Sequence, residues 1–281
     1  MLRSLVLFLL VSLVFACQPA TDAPVGADAG ATQGSEEAGA TVPARAPATV
    51  AYPAAAGFDA AGSSRKAIQL ADSIVKYHGG YEAYQNTRYF SWNFFGVRDL
   101  IWDKLGKRAR IDSPADSTSY ILDYSNPARL TGRVRVGATE ITDTTALNEL
   151  LQRAHSILIN DSYWLVQQFK LKDSGVTLTY GGKTGPDPQA KRPGHILDLT
   201  FTDVGDTPQN RYRLYVDGAT YRINTWQFFR DAADTEPAME TPWNGYKVVA
   251  GMLLSTDRGG RFQLSNVNAG NGVSESSFRE W

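Results

Sequence analysis

Apolar residues first recur at helical spacing at Ile68, Ala71, Ile74, Val75 and Tyr77, the stripe of an amphipathic helix. Ser63 and Ser64 offer N-cap hydroxyls before it, and Gly79-Gly80 accept the left-handed conformation that ends helices. Tyr81 to Gln85 reads as one further turn. From Arg88 the period changes to two, placing Phe90, Trp92 and Phe94 on one face and Tyr89, Ser91, Asn93 and Phe95 on the other. Similar runs over 99–104, 107–112, 118–124 and 133–141 predict consecutive antiparallel strands, with Gly106 and Asn126-Pro127 as punctuation.

A helical stripe then interrupts the strands. Ala146, Leu147, Leu150, Leu151, Ala154, Ile157 and Leu158 predict a helix over 145–159, a break at Asn160-Asp161-Ser162, and a short second helix over 163–168. Strand patterns resume over 176–180, 195–201, 210–216 and 221–230. Asp217-Gly218 marks a hairpin that would align Tyr212, Leu214, Val216, Tyr221 and Ile223 on one face. The polar, proline-bearing stretch 186–194 reads as an exposed loop, and strands over 246–250 and 252–257 complete the series. No β-α-β alternation occurs, so the pattern predicts an α+β fold: a large curved antiparallel sheet with helices packed on one face.

Composition divides the chain before that fold begins. Of the 45 residues over 18–62, 32 are Ala, Gly, Pro, Ser or Thr, too few apolar groups to offset the entropy of ordering. This stretch reads as a flexible linker with an r.m.s. span of about 35–40 Å. The folded domain is then expected over 63–281. It is rich in aromatic residues (6 Trp, 13 Tyr and 12 Phe in the whole chain), which favours a sheet surface. The net charge of -1 and the absence of a basic stripe argue against nucleic acid as a partner.

Cys17, the only cysteine, follows Val14-Phe15-Ala16 and an apolar run that opens after Arg3. The run resembles the lipobox of a bacterial lipoprotein signal peptide, with Phe15 bulkier than the usual residue before Ala16. Leu5 to Phe15 is shorter than the roughly 20 residues that span a bilayer. The resemblance implies a signal peptide over 1–16, cleavage before Cys17, and a membrane anchor of acyl chains on its sulfur. Acylation leaves no free thiol for a disulfide, a metal or nucleophilic catalysis. Gln18 is not the aspartate that retains enterobacterial lipoproteins in the inner membrane, so by that analogy the anchor lies in the outer membrane, facing the periplasm.

A wider likeness covers about 66–258. Its runs are His78-Gly79-Gly80, Tyr163-Trp164-Leu165, Phe169 through Val176, Val204-Gly205-Asp206-Thr207-Pro208, Tyr212 through Val216, and Trp243 with Tyr246-Lys247. In order and spacing they resemble the lipoprotein-carrier superfamily of LolA and LolB, and within it a poorly characterised group of envelope lipoproteins. Gln168 stands where relatives often carry proline. The resemblance implies an incomplete barrel of about eleven antiparallel strands, with helices lidding an apolar cavity, and no particular activity.

Catalytic patterns are absent. His78, His155 and His195 form no i, i+4 pair, and no G-x-S-x-G elbow, H-E-x-x-H or phosphate-binding loop occurs. Asp198 and Asp203 lie near one strand and read as surface carboxylates. The runs Lys170 to Gly175 and Asp206-Thr207-Pro208 read either as turns or as the rim of a site. The aromatic residues supply the candidate chemistry. Phe90, Trp92, Phe94, Trp102, Tyr120, Leu122, Leu214, Ile223 and Trp226 on strands, with Trp164 beside the helical insertion, form either a filled core or the wall of a ligand cavity. The favoured expectation is a non-enzymatic envelope lipoprotein that binds a lipid or lipoprotein acyl chain and needs no cofactor or metal. The alternative is an interaction lipoprotein with a filled core that binds another envelope protein.

Overall fold

A computed structural model describes residues 52–281. Cys17, the signal peptide and most of the linker lie outside the described residues. Seven antiparallel strands form the larger sheet. β1 (Tyr89–Phe94), β2 (Arg98–Asp103), β3 (Arg108–Ser113), β4 (Thr118–Asp123), β5 (Thr131–Val136) and β6 (Thr139–Glu140) follow one another in a meander, and β14 (Leu264–Gly270) pairs with the free edge of β1. A second sheet has five antiparallel strands, ordered β11-β10-β9-β8-β7: β7 (Val176–Pro186), β8 (Pro193–Phe201), β9 (Arg211–Asp217), β10 (Ile223–Phe229) and β11 (Met239–Pro242). β12 (Asn244–Val249) and β13 (Met252–Asp257) pair only with each other.

The fold is therefore α+β with a large antiparallel sheet and no closed barrel, as the hydrophobic pattern predicts. Among the described residues there are fourteen strands, where about eleven are expected. The pattern over 133–141 is two strands, because Gly137, at φ +59°, turns the chain back at Val136. β11 and β14 are short or polar and carry no clear alternation.

Period-two burial builds the larger sheet's inner face. Across the strands, Phe90, Trp102, Ala109, Leu122 and Gly132 form one row, and Trp92, Leu100, Ile111, Tyr120 and Val134 the next. Phe90 and Trp102 meet ring to ring at 5.4 Å, and the other rings of these rows meet small or aliphatic neighbours. Helix α1 (Arg65–Tyr77) starts at Ser64, whose Oγ accepts from the Ala67 N–H, and buries Leu70, Ala71, Ile74 and Val75. After it, Gly79 has φ +111°, and a Cβ there would lie 2.3 Å from the Gly251 carbonyl oxygen. A side chain would therefore push the helix end off the β12–β13 hairpin. A short helix, α2 (Tyr81–Asn86), leads into β1.

Helix α3 (Thr144–Val166) packs on β3, β4 and β5 and reaches β13. The break expected at Asn160-Asp161-Ser162 does not occur. Arg98 donates to both Asp161 carboxylate oxygens, at 2.8 and 3.0 Å, so this polar residue is satisfied inside a continuous helix. The expected short helix over 163–168 is the end of α3, followed by a 3-10 turn over Gln167–Phe169. Contacts with the fold begin before residue 63. Tyr52 is buried, donates to the Phe169 carbonyl at 3.1 Å, and accepts from the Lys172 N–H at 2.7 Å. The described end of the expected linker thus packs on the fold, and residues 52–281 belong to one compact unit. Between β7 and β8 the expected loop shrinks to 187–192, where buried Asp187 accepts from the Gln189 and Ala190 N–H groups. Among the described residues no helix is long and apolar enough to cross a membrane.

Candidate functional site

The second half of α3 stands off the five-stranded sheet and leaves a cleft of about 550 Å³. Ile159, Tyr163 and Trp164 project from the helix as one wall. Phe201 on β8, Tyr212 on β9, Trp226 and Phe228 on β10, and Met239 on β11 form the other. Gln167 and Trp243, both buried, contribute to the lining as well. Aromatic contacts cross the gap: Trp164 lies 4.7 Å from Trp226, and Tyr163 lies 5.5 Å from Tyr212, between ring centres. Trp226 and Phe228 stack nearly parallel at 6.0 Å.

The rim is polar. Asn160, Gly205 and Asp206 are exposed there, and Lys170 pairs with Asp173. Asn210 donates from its amide to Thr207 Oγ1 at 2.6 Å. Both sequence runs read as turns or rim are both. Gly175, at φ +73°, turns the chain so tightly that a Cβ would lie 2.5 Å from the Thr202 carbonyl oxygen, while Lys170, Asp173, Asp206 and Thr207 line the opening. Burial pushes the Tyr163 and Tyr212 hydroxyls above their ordinary pKa, so both rings remain neutral hydrogen-bonding walls.

Of the ten candidate residues, the structure brings Trp164 and Trp226 to this cleft. The other eight do not line it. Phe90, Trp92, Phe94, Trp102, Tyr120 and Leu122 sit in the closed core of the larger sheet, and Leu214 and Ile223 are buried in the core beside the cleft. Tyr221, expected on the face of Leu214, is a turn residue at φ +65° and partly exposed. The register slips between Ile223 and Thr225, so Ile223 opposes Val216 while Trp226 opposes Leu214. That bulge reverses the parity of β10. Tyr163, Phe201, Tyr212, Phe228, Met239 and Trp243 are the lining aromatic and thioether residues absent from the candidate set. Tyr212 and Phe228 were within reach, since they continue the alternation of Leu214 and Trp226.

The histidines lie apart. His78 ends α1, where burial lowers its pKa to about 4 and its Nδ1 bonds the Ile74 carbonyl at 2.8 Å. His155 packs beside Tyr124, and His195 Nδ1 lies 2.9 Å from the Tyr180 hydroxyl. Asp198 is paired with Arg213 across β8 and β9. Among the described residues no three His, Cys, Asp or Glu side chains gather as a metal would require.

No protein-family model matches the sequence, and no curated protein does. In structure the chain is similar to a DUF1329 family protein from Desulfovibrio piger, at 15% identity and a TM-score of 0.41, over 77% of this chain and 98% of that one. It is also similar to a domain from Vibrio parahaemolyticus named for outer membrane lipoprotein sorting, at 12% identity and a TM-score of 0.40, over 76% of this chain and 97% of that one. Likenesses at this level carry no functional conclusion.

Proposed function

We propose that this chain is a non-catalytic envelope lipoprotein that holds a lipid, or the acyl chain of a lipoprotein, in the cleft between α3 and the five-stranded sheet. One observation carries the reading: the aromatic walls enclose about 550 Å³, within the roughly 300–1,000 Å³ of small-ligand sites. Each methylene buried there gains about 0.8 kcal/mol, so an acyl chain binds by area alone. Trp164 and Trp226 are its contacts from the sequence-derived set. In the same proposal Cys17 carries the lipid anchor, and the domain faces the periplasm from the outer membrane.

Solvent extraction of the purified chain, followed by mass spectrometry, is expected to release lipid, and a fluorescent fatty acid is expected to bind. A protein that yields no lipid and takes up no probe overturns the reading. Substituting Cys17→Ala is expected to move the chain from membranes to the soluble periplasmic fraction. Retention in membranes would refute the anchor.

A further inference from the structure

Arg258, just after β13, is a buried cation with no direct ion pair among the described residues, and the carboxylate whose charge acts on it is that of Asp257. Its side chain is about 1% exposed, and among the described residues no carboxylate pairs with it. Nη1 donates to Ser255 Oγ at 2.6 Å and to the Asp257 carbonyl at 3.2 Å, Nη2 donates to the Trp164 carbonyl at 2.6 Å, and Nε has no partner. Burial lowers its pKa only to about 9, so it is charged at neutral pH. The guanidinium carbon lies 4.0 Å from the Trp243 ring centre and 5.9 Å from that of Trp164. Both tryptophans line the cleft, so the guanidinium packs against two of its lining residues without lining it itself.

The deep lining adds unpaired polar hydrogens. Tyr163 Oη, Gln167 Nε2, Trp226 Nε1 and Trp243 Nε1 are buried without a hydrogen-bond partner, and all four belong to cleft residues. The indole and amide N–H groups only donate, and the Tyr163 hydroxyl donates as well as accepts. The two acids of the lining are at its mouth: Asp173 is paired with Lys170, and Asp206 is exposed at the rim. A buried positive charge beside the cleft and unpaired donors in its lining favour an acceptor with negative charge.

We propose that the cleft selects amphiphiles by their head group, taking an acyl chain that ends in an anion, a carboxylate or a phosphate monoester, with the head lodged against Trp243 in front of Arg258. This rests on the reading of the cleft as an acyl-binding site, and it adds a specificity that apolar burial alone does not give.

The test uses the chain from Gln18 onward, which keeps the whole compact unit, and four probes of one chain length: dodecanoate, dodecyl phosphate, dodecanol and dodecylamine. Binding is followed by tryptophan fluorescence at pH 7.5 and below the probes' micellar concentrations. At least one anion is expected to bind at least about tenfold more tightly than dodecylamine, with dodecanol between, and the tighter anion identifies the head. In Arg258→Met the spread is expected to collapse while the dodecanol affinity stays. If that variant does not fold, the wild-type series still decides. Equal affinities for all four, or a preference for the amine, overturn the head-group selection and leave acyl binding intact. Binding of none overturns both.

Discussion

In the seven-stranded sheet Trp102 lies across from Ala109, and Trp92 across from Leu100. In the five-stranded sheet Tyr212 lies across from Phe228, and Trp226 meets Trp164 of the helix. Apart from the Phe90–Trp102 pair, the first arrangement sets wide rings against narrower neighbours, and the N-terminal half of α3 settles onto the sheet. Leu151 of α3 comes so close that a Cβ on Gly132 would lie 3.1 Å from it. The second arrangement pairs Tyr212 with Phe228 and, although Trp226 lies across from Leu214 within the sheet, sets its ring against Trp164 of the helix. Tyr163 and Trp164 then prop the C-terminal half of the same helix away from the strands, and the cleft is the space between the props. Aromatic content is thus shared by both halves, and the pairing of sizes decides which half is solid.

The largest expected effect tests that contrast directly. Trp92→Ala should cost about 3–5 kcal/mol of stability, because the filled row cannot collapse around the void. The folded fraction should still bind a fluorescent fatty acid with unchanged affinity. Trp226→Ala should cost about half as much, since one side of its ring already borders open space, yet weaken the probe at least about tenfold. Denaturant titration and probe binding on both variants check this. Equal losses of stability, or a loss of binding in the Trp92 variant, would erase the distinction between the halves.

The sequence made the solid half legible and the open half obscure, and local physics explains why. Phe90, Trp92 and Phe94 keep strict alternation in a short strand between tight turns, so their burial follows from period two alone. The cleft instead depends on three features with no local signature. The bulge between Ile223 and Thr225 shifts β10 by one position and brings Trp226 to the face of Leu214. α3 continues through Asn160-Asp161-Ser162 because of Arg98, some sixty residues earlier. β11, which supplies Met239, is four residues long and partly polar. Burial of a tryptophan was readable; whether its neighbour leaves room was not.

Next in size is the contact that holds the helix across both halves. Asp161 is fully buried, and burial raises its pKa against the opposing pull of Arg98. Arg98→Met leaves that acid unpaired and should cost about 3 kcal/mol. If α3 also loosens where Tyr163 and Trp164 stand, probe affinity falls with stability. A stable variant with unchanged binding would show that the helix is positioned by its apolar contacts alone.

Acid should test whether the halves unfold as one. The His78 imidazole, with a folded pKa of about 4 against about 6.5 when unfolded, binds its proton more readily in the unfolded chain. Its contribution is therefore complete above pH 6.5 and declines as pH falls toward 4, by about 3 kcal/mol in total. His78 sits where α1 meets the β12–β13 hairpin, its carbonyl accepting from the Leu253 N–H at 2.8 Å. Coincident loss of far-ultraviolet dichroism and of probe binding along this slope would make the two halves a single cooperative unit. Early loss of binding would make the cleft a separate one. His78→Gln should flatten the slope between pH 6.5 and 4.

The smallest expected effect concerns the segment ahead of α1, which by composition alone belongs to the linker. Tyr52 reaches the end of α3 from outside both sheets, and its hydroxyl bridges the Phe169 carbonyl and the Lys172 N–H. Tyr52→Phe keeps the ring in place but leaves a donor and an acceptor unmatched near the 3-10 turn that carries Gln167. The expected cost is about 1–2 kcal/mol, read as a shift of the denaturation midpoint without a change of slope. Because Lys170 and Asp173 flank the same turn at the mouth of the cleft, ligand affinity should weaken slightly while the solid half is untouched. A variant indistinguishable from the parent in both measurements would return residues 52–62 to the linker and confine the fold to the residues after it.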